Sequence, residues 1–221
     1  MRIGLLGMSG IGKSYWAERL AATGYQSVHC DEIIAARLQQ ELKTPLATVY
    51  DLGNWMGLPY ETNFQEREQK YLSLEITLLK DIIDDLTCGR LAADKLVIDL
   101  TGSAIYAGVE IFRQLRQFIT IVHLGITPAV EKQMLAEYLQ NPRPVLWHGI
   151  FNQQNGEENL AALERCYPKL ISYREKLYKS MGDITLDYQT HRLSELGTEK
   201  FLHHIQQGFE ATAVPQRHTE F

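Results

Sequence analysis

Apolar residues along the chain fall into short unbroken runs, separated by stretches where they recur every three or four positions. Unbroken runs mark strands buried on both faces, and the spaced stretches mark helices with one buried face. Residues 2–6 predict a first strand, and Tyr15, Trp16 and Leu20 predict a helix over 13–22 behind it. Ser27-Val28-His29 predicts a second short strand, followed by a helix from about Asp31 to Leu42. Lys95–Leu100 (KLVIDL) and Phe118–Leu124 (FITIVHL) predict two central strands, and Ile184–Leu186 a last short one. Thr127-Pro128 opens a further helix, because Thr caps free amides and Pro fits a first turn. Strands alternating with helices predict an α/β fold of three layers around a parallel sheet.

Three stretches extend that plan. Tyr71, Leu72, Leu78, Leu79, Ile82, Ile83 and Leu86 keep helical spacing and predict one long helix over 64–86. Asn141–Gly156 (NPRPVLWHGIFNQQNG) has two prolines, two glycines and no period, so it reads as a loop or mobile lid. A long amphipathic helix is expected at about Glu157–Met181, and the polar tail after about residue 211 is expected to be flexible. Residues 1–221 therefore read as a single domain. A helical segment at about 31–75 covers the substrate side, and a lid lies at about 140–156.

The chain has 221 residues, 45% of them hydrophobic, which suffices for a packed core. A formal net charge of −5 argues against a nucleic-acid partner or a polybasic membrane surface, since both need a basic face. The three cysteines, Cys30, Cys88 and Cys166, form no CxxC pair or Cys/His cluster, so neither disulfides nor structural zinc are expected. The apolar run after Met1 is too short for a signal peptide, and no run reaches the ~18 residues of a spanning helix. No membrane association and a cytoplasmic location are the expectations. These residues name no oligomeric state.

Gly7-Met8-Ser9-Gly10-Ile11-Gly12-Lys13-Ser14 matches GxxxxGK[ST] at every fixed position, after a strand and before a helix. Glycines let the backbone curl so that successive amides point at phosphates, and the helix adds its positive N-terminal end. Gly7, Ser9, Gly10, Ile11, Gly12, Lys13, Ser14 and Tyr15 are accordingly the expected ATP-binding set. The Lys13 ammonium reaches the β- and γ-phosphates, and the Ser14 hydroxyl ligates Mg²⁺. A chance glycine-rich turn explains neither the complete motif nor its flanks.

Three further elements bear on what receives the phosphate. Asp31 stands at the carboxyl end of the second strand, where open α/β sheets bind ligands, although capping of the following helix also suits it. Asp99, next to last in KLVIDL, stands in the place of a magnesium-organising acid, although a turn residue at a strand end is the plain alternative. Arg143 and Arg174 are cations able to stabilise a transferring phosphoryl group, against the plain alternative of solvated surface arginines. His29 reads as a packed or hydrogen-bonded histidine, and Cys30, with no activating partner in view, as inert.

Taken in order, these segments resemble the shikimate kinase family and its relatives among the nucleoside-monophosphate-kinase-like P-loop kinases, from residue 1 to about 188. GMSGIGKS followed by HCDEII resembles the family's P-loop, helix and DxD element, with Asp31 as the second Asp and His29 in place of the first. YETNFQERE resembles GExxFRxxE through Glu61, Phe64 and Glu68, with Tyr60 for Gly and Gln65 for Arg. LTGSAIY retains Gly102 of a glycine triplet, flanked by Thr101 and Ser103. NPRPVL carries the lid's Arg143-Pro144, and SYREKLYKSMGDITLD resembles a closing RxxxY…AD segment with Arg174, Tyr178 and Asp183.

The resemblance implies a three-layer P-loop NTPase fold and an ATP-dependent, magnesium-dependent kinase acting on a hydroxyl of a small polar metabolite. Lys13, Asp31 and Arg143 are its implied catalytic residues. Asp31, Gln65, Gly102, Ser103 and Arg174 are the implied substrate set, and Ser14 with Asp99 the metal ligands. In the family the arginine replaced by Gln65 pairs with the acceptor's carboxylate, which a neutral amide does not reproduce. An altered acceptor is therefore expected. The alternatives are a nucleoside monophosphate kinase of the same fold and a nucleotide-binding regulatory module with little transfer activity.

Overall fold

The computed structural model describes residues 1–43, 46, 48–140, 145–192 and 196–213. Among them the chain builds strands β1 (Arg2–Leu6), β2 (Gln26–His29), β3 (Leu96–Asp99), β4 (Thr120–Leu124) and β5 (Ile184–Leu186). These form one sheet in the order β2-β3-β1-β4-β5, with every pairing parallel. The predicted runs thus form strands, with ends moved by a residue or two.

Alternation along each strand sorts side chains to the two faces. Ile3 and Leu5 of β1, Val97 of β3 and Val122 and Leu124 of β4 enter one core layer. Leu6, Leu96, Ile98 and Ile121 enter the other. The first layer is closed by α1 (Lys13–Ala21) and α9 (Thr198–Ala213), where Phe201 stacks on Trp16 with ring centroids 3.9 Å apart. Trp16 also donates its indole N–H to the His191 carbonyl, in the short α8 (Tyr188–His191).

The larger layer packs under α2 (Cys30–Leu42), α3 (Val49–Met56), α4 (Phe64–Thr87), α5 (Val109–Leu115), α6 (Pro128–Gln140) and α7 (Asn159–Met181). The long helix expected over 64–86 is α4, and its apolar stripe is the buried face. One position breaks that stripe: Glu75, 1% exposed. α3 opens with a reciprocal cap, Thr48 accepting from the Asp51 amide while Asp51 accepts from the Thr48 amide. α7 continues through Pro168, the lost hydrogen bond being outweighed by a buried stripe from Ala162 to Met181.

The expected lid differs from a loose loop. Residues 141–144, with Arg143 and Pro144, lie outside the described residues, as does the tail from 214. Val145, Leu146 and Trp147 are buried, and Trp147 packs edge-on against Phe151 and Tyr167. A tryptophan and two aliphatic side chains have more to gain from burial than an irregular backbone has from solvent. The polar residues, prolines and glycines around them in the sequence hid that signal.

Candidate active site

The glycines of the first loop earn their places by geometry. Gly7, Gly10 and Gly12 have φ of 145°, 81° and 112°, conformations that L side chains rarely adopt. A Cβ on Gly7 would also stand 2.9 Å from the Leu124 carbonyl oxygen. α1 begins directly after Gly12, whose position carries no side-chain cap, so the helix's first amides are presented to the loop's concave side. Lys13 is buried, and its ammonium donates to the carbonyls of Gly7 and Met8, both at 3.1 Å. Gly7 and Ile11 shape the loop from behind. Ser9, Gly10, Gly12, Lys13, Ser14 and Tyr15 line a cavity of about 780 Å³, a volume suited to a nucleotide and a small co-substrate.

Parallel register brings two more residues to the same cavity. His29 and Asp99 are paired at the carboxyl ends of β2 and β3, with His29 Nδ1 3.5 Å from Asp99 Oδ2. That hydrogen bond raises the imidazole pKa. Ser14 and Asp99 offer a hydroxyl and a carboxylate on one cavity wall. Hard oxygen donors of this kind, few in number, fit Mg²⁺, which keeps several waters and phosphate oxygens in its shell. His29 was not among the expected site residues, yet it stands beside Asp99 in the cavity wall.

Asp31 occupies the first turn of α2, lines the cavity and is half-buried. Burial raises its pKa, opposed by the hydrogen bond from Tyr71 and by the Lys13 charge. The Tyr71 hydroxyl, from α4, donates to Asp31 Oδ1 at 2.7 Å. Cys30 is buried and its thiol pushed well up by desolvation, which agrees with an inert side chain.

The remaining expected acceptor residues are not brought to this cavity. Gln65 is exposed on the first turn of α4 and contributes nothing to the cavity wall. Arg174 is 1% exposed and engaged with the protein itself. It donates from Nε to the Tyr106 hydroxyl at 3.1 Å and from the terminal nitrogens to Gly102 O at 3.4 Å and Leu146 O at 2.5 Å. Above it the segment 145–148 is strapped down. Glu68 accepts from the amides of Trp147 and His148, and the His148 ring stacks on Tyr106. Gly102 packs against the loop, where a Cβ would lie 3.2 Å from Ser9 N. Ser103 is buried and donates to Glu75 Oε1 at 2.9 Å, alongside Thr101. Burial holds the Glu75 carboxyl up at about 8, so it is neutral at physiological pH.

Several cavity residues had no flag in the sequence. Arg192 reaches the loop from beyond α8, its guanidinium 3.4 Å from a Cβ built on Gly12. Glu32, Ala35, Ala36 and Gln39 of α2, with Leu46 and Thr48, line the end farther along that helix. For α2 a signal existed: 31, 35, 36 and 39 share one helical face whose residues are small or polar.

No family model matches the chain, and no curated protein sequence does. Solved structures do. A shikimate kinase from Acinetobacter baumannii, determined in complex with shikimate, is 19% identical, with a TM-score of 0.55 over 96% of this chain and 94% of that one. The shikimate kinase of Aquifex aeolicus is also 19% identical, with a TM-score of 0.55 over 97% and 99%. That of Bacteroides thetaiotaomicron is 17% identical, with a TM-score of 0.54 over 95% and 98%. Near-complete coverage on both sides, with a five-stranded parallel sheet and a glycine-rich loop at its carboxyl edge, gives this chain an α/β P-loop NTPase-like fold like that of these shikimate kinases.

Proposed function

We propose that this chain is an ATP-dependent kinase that transfers the γ-phosphate to a hydroxyl group of a small polar metabolite. One observation carries the reading: Lys13, Ser14, Asp99 and Asp31 line a single cavity of about 780 Å³ at the mouth of the glycine loop. In this proposal the loop amides and the Lys13 ammonium hold the β- and γ-phosphates. Ser14 and Asp99 would hold Mg²⁺, which when bound supplies charge neutralisation to the phosphates. Asp31, fixed by Tyr71, orients the acceptor hydroxyl and takes its proton. Arg143, on a segment outside the described residues, is proposed to bring positive charge over the transferring group. Positioning and charge stabilisation of this kind are nearly all that phosphoryl transfer demands.

Lys13→Ala tests the reading. It is expected to lower nucleotide affinity and to reduce acceptor-dependent ADP release by roughly 100-fold or more, while circular dichroism shows an intact fold. Unchanged turnover by a folded Lys13→Ala protein would remove the basis for the assignment. ADP release that no metabolite in a broad library stimulates would favour a nucleotide-binding module over a kinase.

A further inference from the structure

We infer that the acceptor is an alcohol without negative charge, a polyol or an amino alcohol, lodged against α2; the inference rests on the kinase reading above. The cavity continues from the phosphate-binding loop along one face of α2, formed by Asp31, Glu32, Ala35, Ala36 and Gln39, to Leu46 and Thr48. Ala35 and Ala36 leave room between the polar groups. Gln39 is braced by its Oε1, which accepts from the Leu46 amide, and Thr48 by its hydroxyl, which donates to Asp51. The groups offered to a ligand at this end are two carboxylates, an amide and a hydroxyl. Ionised carboxylates accept hydrogen bonds from hydroxyls and pair with ammonium groups.

An anionic acceptor meets the opposite conditions. Among the described residues lining the cavity the permanent cations are Lys13 and Arg192, while His29 is paired with Asp99. Both belong to the nucleotide end, Lys13 on the loop's own carbonyls and Arg192 beside Gly12. A carboxylate or phosphate against α2 would face Asp31 and Glu32, with no guanidinium among the described residues lining that end to receive it. Arg174, the cation that an anionic acceptor would need, is buried under Leu146, whose carbonyl takes one of its donors. Reaching it requires lifting a segment that Glu68 and Tyr106 hold down.

The test does not depend on knowing the acceptor. Ala36 is exposed in the cavity wall, and its neighbour Arg37 is paired with Asp81 at 2.6 Å. In a Cys88→Ser background, which removes the one exposed native thiol among Cys30, Cys88 and Cys166, Ala36→Cys is labelled with methanethiosulfonate reagents. The ethylammonium and ethylsulfonate forms are compared, each rate normalised to that of a small free thiol. The cationic reagent is expected to be favoured at least about fivefold, and Glu32→Gln to reduce that ratio. A ratio of one or below overturns the inference. Gln39→Cys repeats the measurement should Ala36→Cys fail to fold. In parallel, ADP release with Mg·ATP is compared between cyclic polyols or amino alcohols and cyclic hydroxy acids including shikimate. A higher kcat/KM for any hydroxy acid also overturns it. Binding of a fluorescent ADP analogue to the same proteins keeps the two claims apart. Its absence sinks the kinase reading, whereas a reversed ratio with ADP bound sinks the acceptor class alone.

Discussion

Replacing Glu75 with Gln should change how stability depends on pH, and by an amount the structure sets. The carboxyl lies on the buried face of α4, where its Oε1 receives the hydroxyls of Thr101 and Ser103 and its Oε2 meets no hydrogen-bonding group. Desolvation, partly offset by the Ser103 hydrogen bond, lifts its pKa from 4.5 to about 8. The raised value belongs to the folded state. Between pH 4.5 and 8 the unfolded chain releases a proton that the folded chain keeps, so folding loses stability as pH rises, by ~1.4 kcal/mol for each pH unit. Over the whole window the loss is about 5 kcal/mol, and between pH 5 and 7.5 it is about 3 kcal/mol. Gln is isosteric with the protonated acid and does not titrate. Its amide nitrogen inherits the unpartnered position of Oε2, a penalty that is the same at every pH. The stability of Glu75→Gln relative to the parent should therefore climb by about 3 kcal/mol from pH 5 to 7.5, or roughly 6–12 °C in Tm for a domain of this size. Thermal and urea denaturation at a series of pH values measures it. Parallel curves for the two proteins would show that Glu75 ionises normally in the fold, and the buried neutral carboxyl would be refuted.

Tyr71→Phe removes the hydrogen bond that holds the Asp31 pKa down against desolvation, so the acid limb of the kcat–pH profile should move to higher pH, and an unmoved limb would separate Asp31 from the rate. Asp31→Asn keeps the size of the side chain and its ability to cap α2 but removes the proposed proton acceptor; kcat should fall steeply while ADP affinity, measured by titration calorimetry, stays close to the parent's. Phe201→Ala deletes the ring stacked on Trp16 and should cost about 3–5 kcal/mol in urea denaturation, a loss that a loosely attached α9 would not produce.

Short-range rules read most of the scaffold. Residues 2–6, KLVIDL and FITIVHL are apolar runs of a length that suits only buried strands, and α4 repeats its stripe for six turns, so local pattern sufficed for both. GMSGIGKS specifies its own conformation, because left-handed φ at Gly7, Gly10 and Gly12 is a property of those residues. Even α3, inside the helical segment expected at about 31–75, carries a local cap at Thr48 and Asp51. What escaped was decided between residues far apart in the chain. Gln65 and Asp31 each stand in the first turn of a helix, yet one faces solvent and the other the cavity, and only the docking of α2 against α4 separates them. Glu75 looks like any polar residue on a helix until Thr101 and Ser103, 26 and 28 positions away, close over it. Arg174 sits in a run of charged residues suited to a solvated face, and becomes a buried strut because Leu146 and Gly102 supply carbonyls from two other segments. The segment after residue 190 shows no chemistry in its own order, but α9 covers Trp16 and Arg192 reaches the nucleotide loop. Periodicity and backbone preference act over a few residues, and burial is a property of whatever the folded chain brings alongside.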